Sequence, residues 1–394
     1  MAEMNLKRTF RTLFGYEEHL IFFAPGRINL IGEHTDYNGG YVFPCAITKG
    51  TYVLAAKRKD QTIRMYSKNF PEKEVITLSL EDLSFQSSHD WANYPKGIIL
   101  KLFEHGYTID HGFDLLFYGN IPNGAGLSSS ASIEMATGVM LEQLFNLSIN
   151  RTDLVRIGQK VENEYIGVNS GIMDQFAIGM GKKNHGILLD CHTLDYQYAP
   201  LPLDNHVLLI MNTNKERTLA SSQYNERRAD CEAALRDLQA HTSIDTLGEL
   251  SPKEFEKKKE YIKNPVNRQR ARHAVYENER TKESLRRLQK GDLQGFGDLM
   301  NASHISLRDD YEVTGTELDA LAEAAWTQDG CIGARMTGAG FGGCAIAIVE
   351  KNRTEAFQKN VQSYYRSVTG YDADFYEAHA GDGAKEWIGE VCFT

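Results

Sequence analysis

Short apolar runs dominate the first third of the chain. Leu20–Phe23, Tyr52–Ala56, Ile63–Tyr66, Val75–Leu78 and Phe113–Tyr118 are short and apolar-rich, the pattern of β-strands. Pro25 and Gly26 close the first run, which puts the polar residues after it in a turn or at a helix start. Tyr94–Phe103 has helical spacing. Three more helical segments follow, at Ser129–Phe145, Thr152–Ile166 and from Met173 onward. The first of these is apolar nearly all round, through Ile133, Met135, Ala136, Val139, Met140 and Leu144, and should be a buried central helix. Strands are expected at Ile187–Leu189 and His206–Met211. The Pro-containing Ala199–Leu203 between them reads as a connection, and as the boundary between domains at 1–203 and 204–394.

Residues 220–327 are mostly charged helix formers, including Tyr224–Leu238 and Gln269–Gln289, and their charge runs read as solvated helix faces. Strands return at Cys344–Val349 and Ala373–Ala378 around a helix over Arg353–Ser367. This mixed order predicts an α+β fold rather than a regular doubly wound sheet.

Composition changes this picture only by exclusion. The 394 residues carry 43 Lys and Arg against 53 Asp and Glu, a net charge of −10, which argues against a general nucleic-acid or membrane surface. It leaves room for a phosphate site built from backbone N–H groups and Mg²⁺. Met1–Leu20 alternates charged and apolar residues without the apolar core of an export signal, and no apolar run approaches a membrane span. Cys45, Cys191, Cys231, Cys331, Cys344 and Cys392 are scattered, as expected of free thiols in a cytoplasmic protein.

Three stretches carry chemistry. Arg27, Glu33, His34, Thr35 and Asp36 crowd into ten positions after the first strand, and carboxylate, imidazole and hydroxyl groups suit a polyhydroxylated ligand. A solvated polar loop is the competing reading. Ile121-Pro122-Asn123-Gly124-Ala125-Gly126-Leu127-Ser128-Ser129-Ser130-Ala131-Ser132 joins a strand to the buried helix, where glycines and a helix N-terminus make an anion cradle and serines can cap the helix. It lacks the lysine of a Walker loop. Asn169–Phe176 is a turn running into apolar sequence, with Ser170 and Asp174 placed as caps or as functional groups. Gly338–Gly343 satisfies a dinucleotide glycine pattern but leads into a strand rather than a helix, which rejects that reading.

Gly26–Tyr37 resembles the signature of galactokinases, members of the GHMP small-molecule kinase superfamily. Ile121–Ser132 resembles that superfamily's phosphate loop, and Met336–Cys344 its third motif, expected as a glycine loop closing the site near the phosphates. The resemblance implies an N-terminal domain akin to ribosomal S5 domain 2, a ferredoxin-like C-terminal domain and a site between them. It implies transfer of a phosphoryl group from ATP to the C1 hydroxyl of D-galactose. Asp174 would take the hydroxyl proton, with Arg27 beside it. Glu33, His34, Thr35, Asp36 and Tyr224 would read the sugar. Gly124, Ala125, Gly126, Leu127, Ser128, Ser129 and Ser130 would hold ATP, with Ser67 a further nucleotide contact. Ser130 and Glu162 would hold Mg²⁺. A monomer without an obligate protein partner is expected. The rival readings are a silent sensor of the same ligands and an N-acetylgalactosamine kinase. The intact Ser128–Ser132 run, with Arg27 and Asp174 both present, favours the enzyme over the sensor.

Overall fold

The structure, a computed structural model, describes residues 2–16, 19–122, 124–215 and 220–388. Asn123 of the glycine loop and Cys392 therefore lie outside the described residues. The strands are β1 (Leu20–Asn29), β2 (Tyr41–Val42), β3 (Pro44–Lys57), β4 (Thr62–Ser67), β5 (Ile76–Ser79), β6 (Phe113–Gly119), β7 (His185–Asp190), β8 (Tyr196–Pro200), β9 (His206–Asn212), β10 (Cys331–Thr337), β11 (Cys344–Glu350), β12 (Asp374–Ala378) and β13 (Lys385–Glu386). They form a six-stranded sheet of order β13-β1-β3-β6-β4-β5, a four-stranded sheet β10-β11-β9-β12 and a three-stranded sheet β2-β7-β8. Among these, β4 and β6 pair in parallel. The other pairings are antiparallel, as in an α+β fold.

Strand periodicity builds the first core. On β3, Val53 and Ala55 face the buried Ser129–Leu144 helix, while Tyr52, Leu54 and Ala56 face Leu6, Phe10 and Phe14 of the helix Ala2–Phe14. In the second sheet, Val207, Leu209 and Met211 of β9 face a helical core of their own. Leu208 and Ile210 on the opposite face meet Ile28, Leu30, Ile31, Phe43 and Leu127, so the two halves share a packed interface.

Several expectations need correction. The first strand does not stop at Pro25. It runs to Asn29 through a bulge between Pro25 and Arg27, where the missing proline N–H costs no ladder bond, and this places Arg27 on the strand itself. Tyr196–Pro200, read in part as linker, is the edge strand β8, and edge position is what tolerates its proline. The N-terminal segment is an amphipathic helix whose Leu6, Phe10 and Phe14 recur every four residues. The charged helix Pro265–Gln289 is not simply solvated: Arg270, His273, Glu277, Thr281 and Ser284 are all buried, along one stripe of its surface.

Candidate active site

The β1 bulge presses the strand against the glycine loop. A Cβ on Gly26 would stand 2.7 Å from the Leu127 carbonyl, so only glycine lets the strand approach this closely. The Arg27 N–H then donates to that same carbonyl at 3.1 Å. From this position the Arg27 side chain reaches Asp174, in the first turn of the helix Met173–Met180. Nε donates to Oδ1 at 2.7 Å and Nη2 to Oδ2 at 2.8 Å, a bidentate pair, while Nη1 donates to Gly126 O at 2.9 Å. Burial alone would disfavour the guanidinium charge, and Asp174 more than restores it.

Ser128 was expected to cap the helix or bind ATP. It adopts a left-handed conformation, φ 63°, makes no capping bond, and donates its hydroxyl to Asp174 Oδ2. Two residues on, Ser130 Oγ donates to Glu162 Oε1 at 2.8 Å. Glu162 is buried within a π-helical turn, Val161–Ile166, the kind of irregularity that re-aims a side chain at a functional site. Burial pushes its carboxyl upward, and the nearby Asp174 adds to the rise.

Opposite this pair lies the polar turn. Arg27, Glu33, His34, Asp36, Gly126, Ser128, Ser129, Ser130, Glu162, Asp174 and Tyr224 line one cavity of about 310 Å³, together with Gly338 and Ala339. Glu33 Oε1 accepts from Gly338 N at 2.7 Å, which seats the turn between β10 and β11 directly beneath the polar segment. Burial drives the His34 pKa down to about 3, so the ring is neutral. Its Nε2 donates to Ala339 O at 3.2 Å and its Nδ1 accepts from Tyr37 at 2.7 Å, which leaves neither nitrogen for a sugar hydroxyl in this arrangement. Thr35 also departs from expectation. It is fully buried, its hydroxyl is shared between Gly32 O at 2.8 Å and Tyr41 O at 2.7 Å, and it does not line the cavity. Its side chain fastens the turn instead.

Asp36 does face the cavity. A Cβ on Gly171 would fall 1.7 Å from its Oδ2, so a bare backbone is required beside this carboxylate. Burial and then Asp174 raise the Asp36 pKa to about 6. The Tyr224 ring lies 5.5 Å from that of His34. A second cavity of about 260 Å³ shares Ser129 and Ser130 with the first and is walled by Ser67, Phe70, Trp91, Tyr94, Phe117 and Ile133. The structure thus puts the expected residues around two adjoining hollows, except Thr35 and the outer part of the loop, where Gly124 is exposed and Ala125 and Leu127 are buried. Sequence reasoning missed Arg335, His273, Glu277 and Ser303, which hold the polar turn from behind. A charge inside the apolar strand Cys331–Thr337 was the available signal for the first of them.

A bidentate arginine and carboxylate at a serine-rich helix start, facing a pocket of carboxylates, fits a small-molecule kinase. Residues 93–182 match the GHMP kinases N terminal domain and residues 282–367 the GHMP kinases C terminal domain, so the class is that of the GHMP kinases. Residues 8–57 match the galactokinase galactose-binding signature. The galactokinase of Lactiplantibacillus plantarum is 57% identical over 98% of this chain and 100% of its own length. That of Exiguobacterium sibiricum is 58% identical over 99% and 100%. The crystal structure of Lactococcus lactis galactokinase complexed with galactose superposes with a TM-score of 0.97 at 52% identity, covering 98% of this chain and 100% of that one. Mevalonate kinase of Methanococcus jannaschii, at 18% identity and a TM-score of 0.66, shares the fold. The chain belongs to the galactokinase family.

Proposed function

We propose that the cavity between Asp174 and the Glu33–Asp36 turn binds D-galactose, and that the γ-phosphoryl group of ATP is transferred there to the sugar's C1 hydroxyl, giving galactose 1-phosphate and ADP. The observation that carries this reading is the bidentate Arg27–Asp174 pair, joined to the glycine loop through Gly126 and Ser128 and facing Glu33 and Asp36 across one hollow.

As the C1 oxygen attacks the γ-phosphorus and the bond to the β-phosphate oxygen breaks, Asp174 receives the hydroxyl proton. Arg27 holds that carboxylate in one orientation and lends positive charge to the transferring group. Ser128 donates to the same carboxylate. Glu33 and Asp36 accept sugar hydroxyls, and Tyr224 closes the pocket over the ring. The nucleotide base fits the aromatic hollow at Trp91 and Tyr94, with Ser67 at its edge, which leads the phosphates toward Ser129 and Ser130.

Mg²⁺ fits Ser130 and Glu162. Glu162 is a buried carboxylate with the Ser130 hydroxyl at 2.8 Å, and burial together with the nearby Asp174 disfavours its charge, which a bound cation would restore. Mg²⁺ commonly takes only one or two protein ligands beside phosphate and water, which this pair can supply. When bound, Mg²⁺ would neutralise charge building on the β- and γ-phosphate oxygens.

We place the domain boundary at residues 203 and 204. Its support is that β9 is the first strand of the four-stranded sheet. We also read the protein as a cytoplasmic monomer. No disulfide links the described cysteines, and no described helix is long and apolar enough to cross a membrane. A coupled ADP-release assay with galactose, N-acetylgalactosamine and mevalonate tests the substrate. Turnover is expected with galactose. Strong turnover on either of the others with none on galactose overturns the assignment, and galactose binding without turnover makes the chain a sensor.

A further inference from the structure

Glu33 is held by groups that lie some three hundred residues further along the chain. Arg335 on β10 is fully buried, yet its Nη1 donates to Glu33 Oε1 at 3.2 Å and to Asn29 O at 2.9 Å. Its Nε donates to Ser303 Oγ at 3.2 Å, and that hydroxyl donates to Glu277 Oε1 at 2.5 Å. Glu277 Oε1 also accepts from Gly32 N at 2.9 Å, and His273 Nε2 donates to Glu33 O at 3.0 Å. Arg335 lines neither the sugar cavity nor the aromatic one.

A buried ion pair stabilises a fold poorly compared with packed apolar side chains, so fold stability alone does not account for placing one here. What the pair does is fix and aim one carboxylate that borders the cavity, and counter the cost of its burial. We propose that Arg335 is a positioning residue for galactose: it holds Glu33 in the orientation that accepts a sugar hydroxyl, and so sets sugar affinity without touching the sugar. This rests on Glu33 being a galactose contact. The groups that face Glu33 are Arg335 and the Gly338 N–H from β10 and its turn, Arg27 and Asn29 from β1, Asp36 from its own turn, and His273 and Glu277 from the helix Pro265–Gln289. Burial pushes the Glu33 carboxyl upward, and Arg335 is the strongest influence pulling it back, ahead of Arg27.

The test uses the full-length enzyme and steady-state ADP release, with galactose or ATP varied as a function of pH and melting curves recorded alongside. Arg335→Gln is expected to raise the galactose KM about 10- to 100-fold, the loss typical of removing a group that orients a binding ligand, with far smaller changes in kcat and ATP KM. The acid limb of kcat/KM for galactose should move toward neutral pH, because Glu33 then takes up its proton more readily. Arg335→Lys keeps the charge but not the fork, so it should leave the acid limb in place and still raise the galactose KM. Glu33→Gln should raise the galactose KM and abolish any further effect of Arg335→Gln in the double variant. If Glu33→Gln raises the KM while both Arg335 variants leave it and the acid limb unchanged, the role of Arg335 is overturned and the sugar contact stands. If Glu33→Gln leaves the galactose KM unchanged, both are overturned. Should Arg335→Gln fail to fold, the lysine variant decides: an unchanged galactose KM, or galactose and ATP KM values that rise together, refutes the proposal.

Discussion

Replacing Asp174 by Asn removes one charge and keeps the side chain's size, at a residue that pairs with Arg27 and lines the cavity. The Arg27 side chain is only 6% exposed and the Asp174 side chain 26%, so the variant leaves a guanidinium in a largely dry site without its counterion. Breaking a buried pair of this kind costs about 3–5 kcal/mol. Here Gly126 O still accepts from Nη1 and the amide oxygen still accepts one bond, while water reaches the aspartate side, so about 2–3 kcal/mol is the expected loss of stability. The catalytic loss is separate. Without an acceptor for the C1 proton, kcat should fall ~10²- to 10⁴-fold, equivalent to about 3–5 kcal/mol of barrier. ADP release at saturating galactose and ATP measures the second effect, and a melting curve on the same preparation measures the first. A folded Asp174→Asn protein with near-normal kcat would refute the role of Asp174 as proton acceptor. A protein that loses kcat and also fails to bind galactose would show that the pair builds the pocket and leave chemistry to other groups.

Other outcomes follow from the same geometry. Asp36 keeps its proton up to about pH 6 in the folded protein, whereas an unfolded aspartate releases it near pH 4. Its contribution to stability is therefore fully present below about pH 4 and lost as the pH rises through about 6. Ligand-free Asp36→Asn should melt above the parent at alkaline pH, by at most about 3 kcal/mol, and match it in acid; an equal difference at both pH values counts against the burial argument. Thr35→Val should lower the melting temperature, at about 1–2 kcal/mol for a buried hydroxyl with two acceptors, and leave the galactose KM near that of the parent. A raised KM without a stability loss would return Thr35 to the sugar. Gly171→Ala should push Asp36 aside and lower kcat/KM for galactose while sparing ATP KM; unchanged galactose kinetics would mean that Asp36 has no part in binding.

What the chain reveals of itself depends on how local the constraint is. Arg27, Ser130 and Asp174 sit in short stretches dense with glycine and polar groups, whereas Glu162 was reached through the family resemblance, and the structure brings all four around one cavity. Arg335 stands out as a charge in an apolar strand, but its role was not legible, because its partner is 302 positions away and such a residue carries no mark of that partner. Glu277 and His273 were misread for a related reason. A polar stripe on a helix looks the same whether water or a buried carboxylate completes it, and only the packed partner tells them apart. The strand through Pro25 failed because proline signals an end locally, while the bulge that accommodates it is set by pairing with β3. The helix Ala2–Phe14, by contrast, was there to be found in the four-residue spacing of Leu6, Phe10 and Phe14.

The pairing of β13 with β1 bears on how the chain comes off the ribosome. Phe22 and Phe23 find their strand partners at Glu386 and Lys385, and Trp387 packs against Phe23 and Tyr52. At ordinary synthesis speeds roughly 20 to 70 seconds separate the emergence of these two segments. For that interval β1 is the outermost strand of its sheet, with aromatic side chains at an open edge, the sort of edge that invites pairing with another nascent chain. The period of greatest aggregation risk is thus fixed by translation time, and slowing the ribosome late in the message should lengthen it.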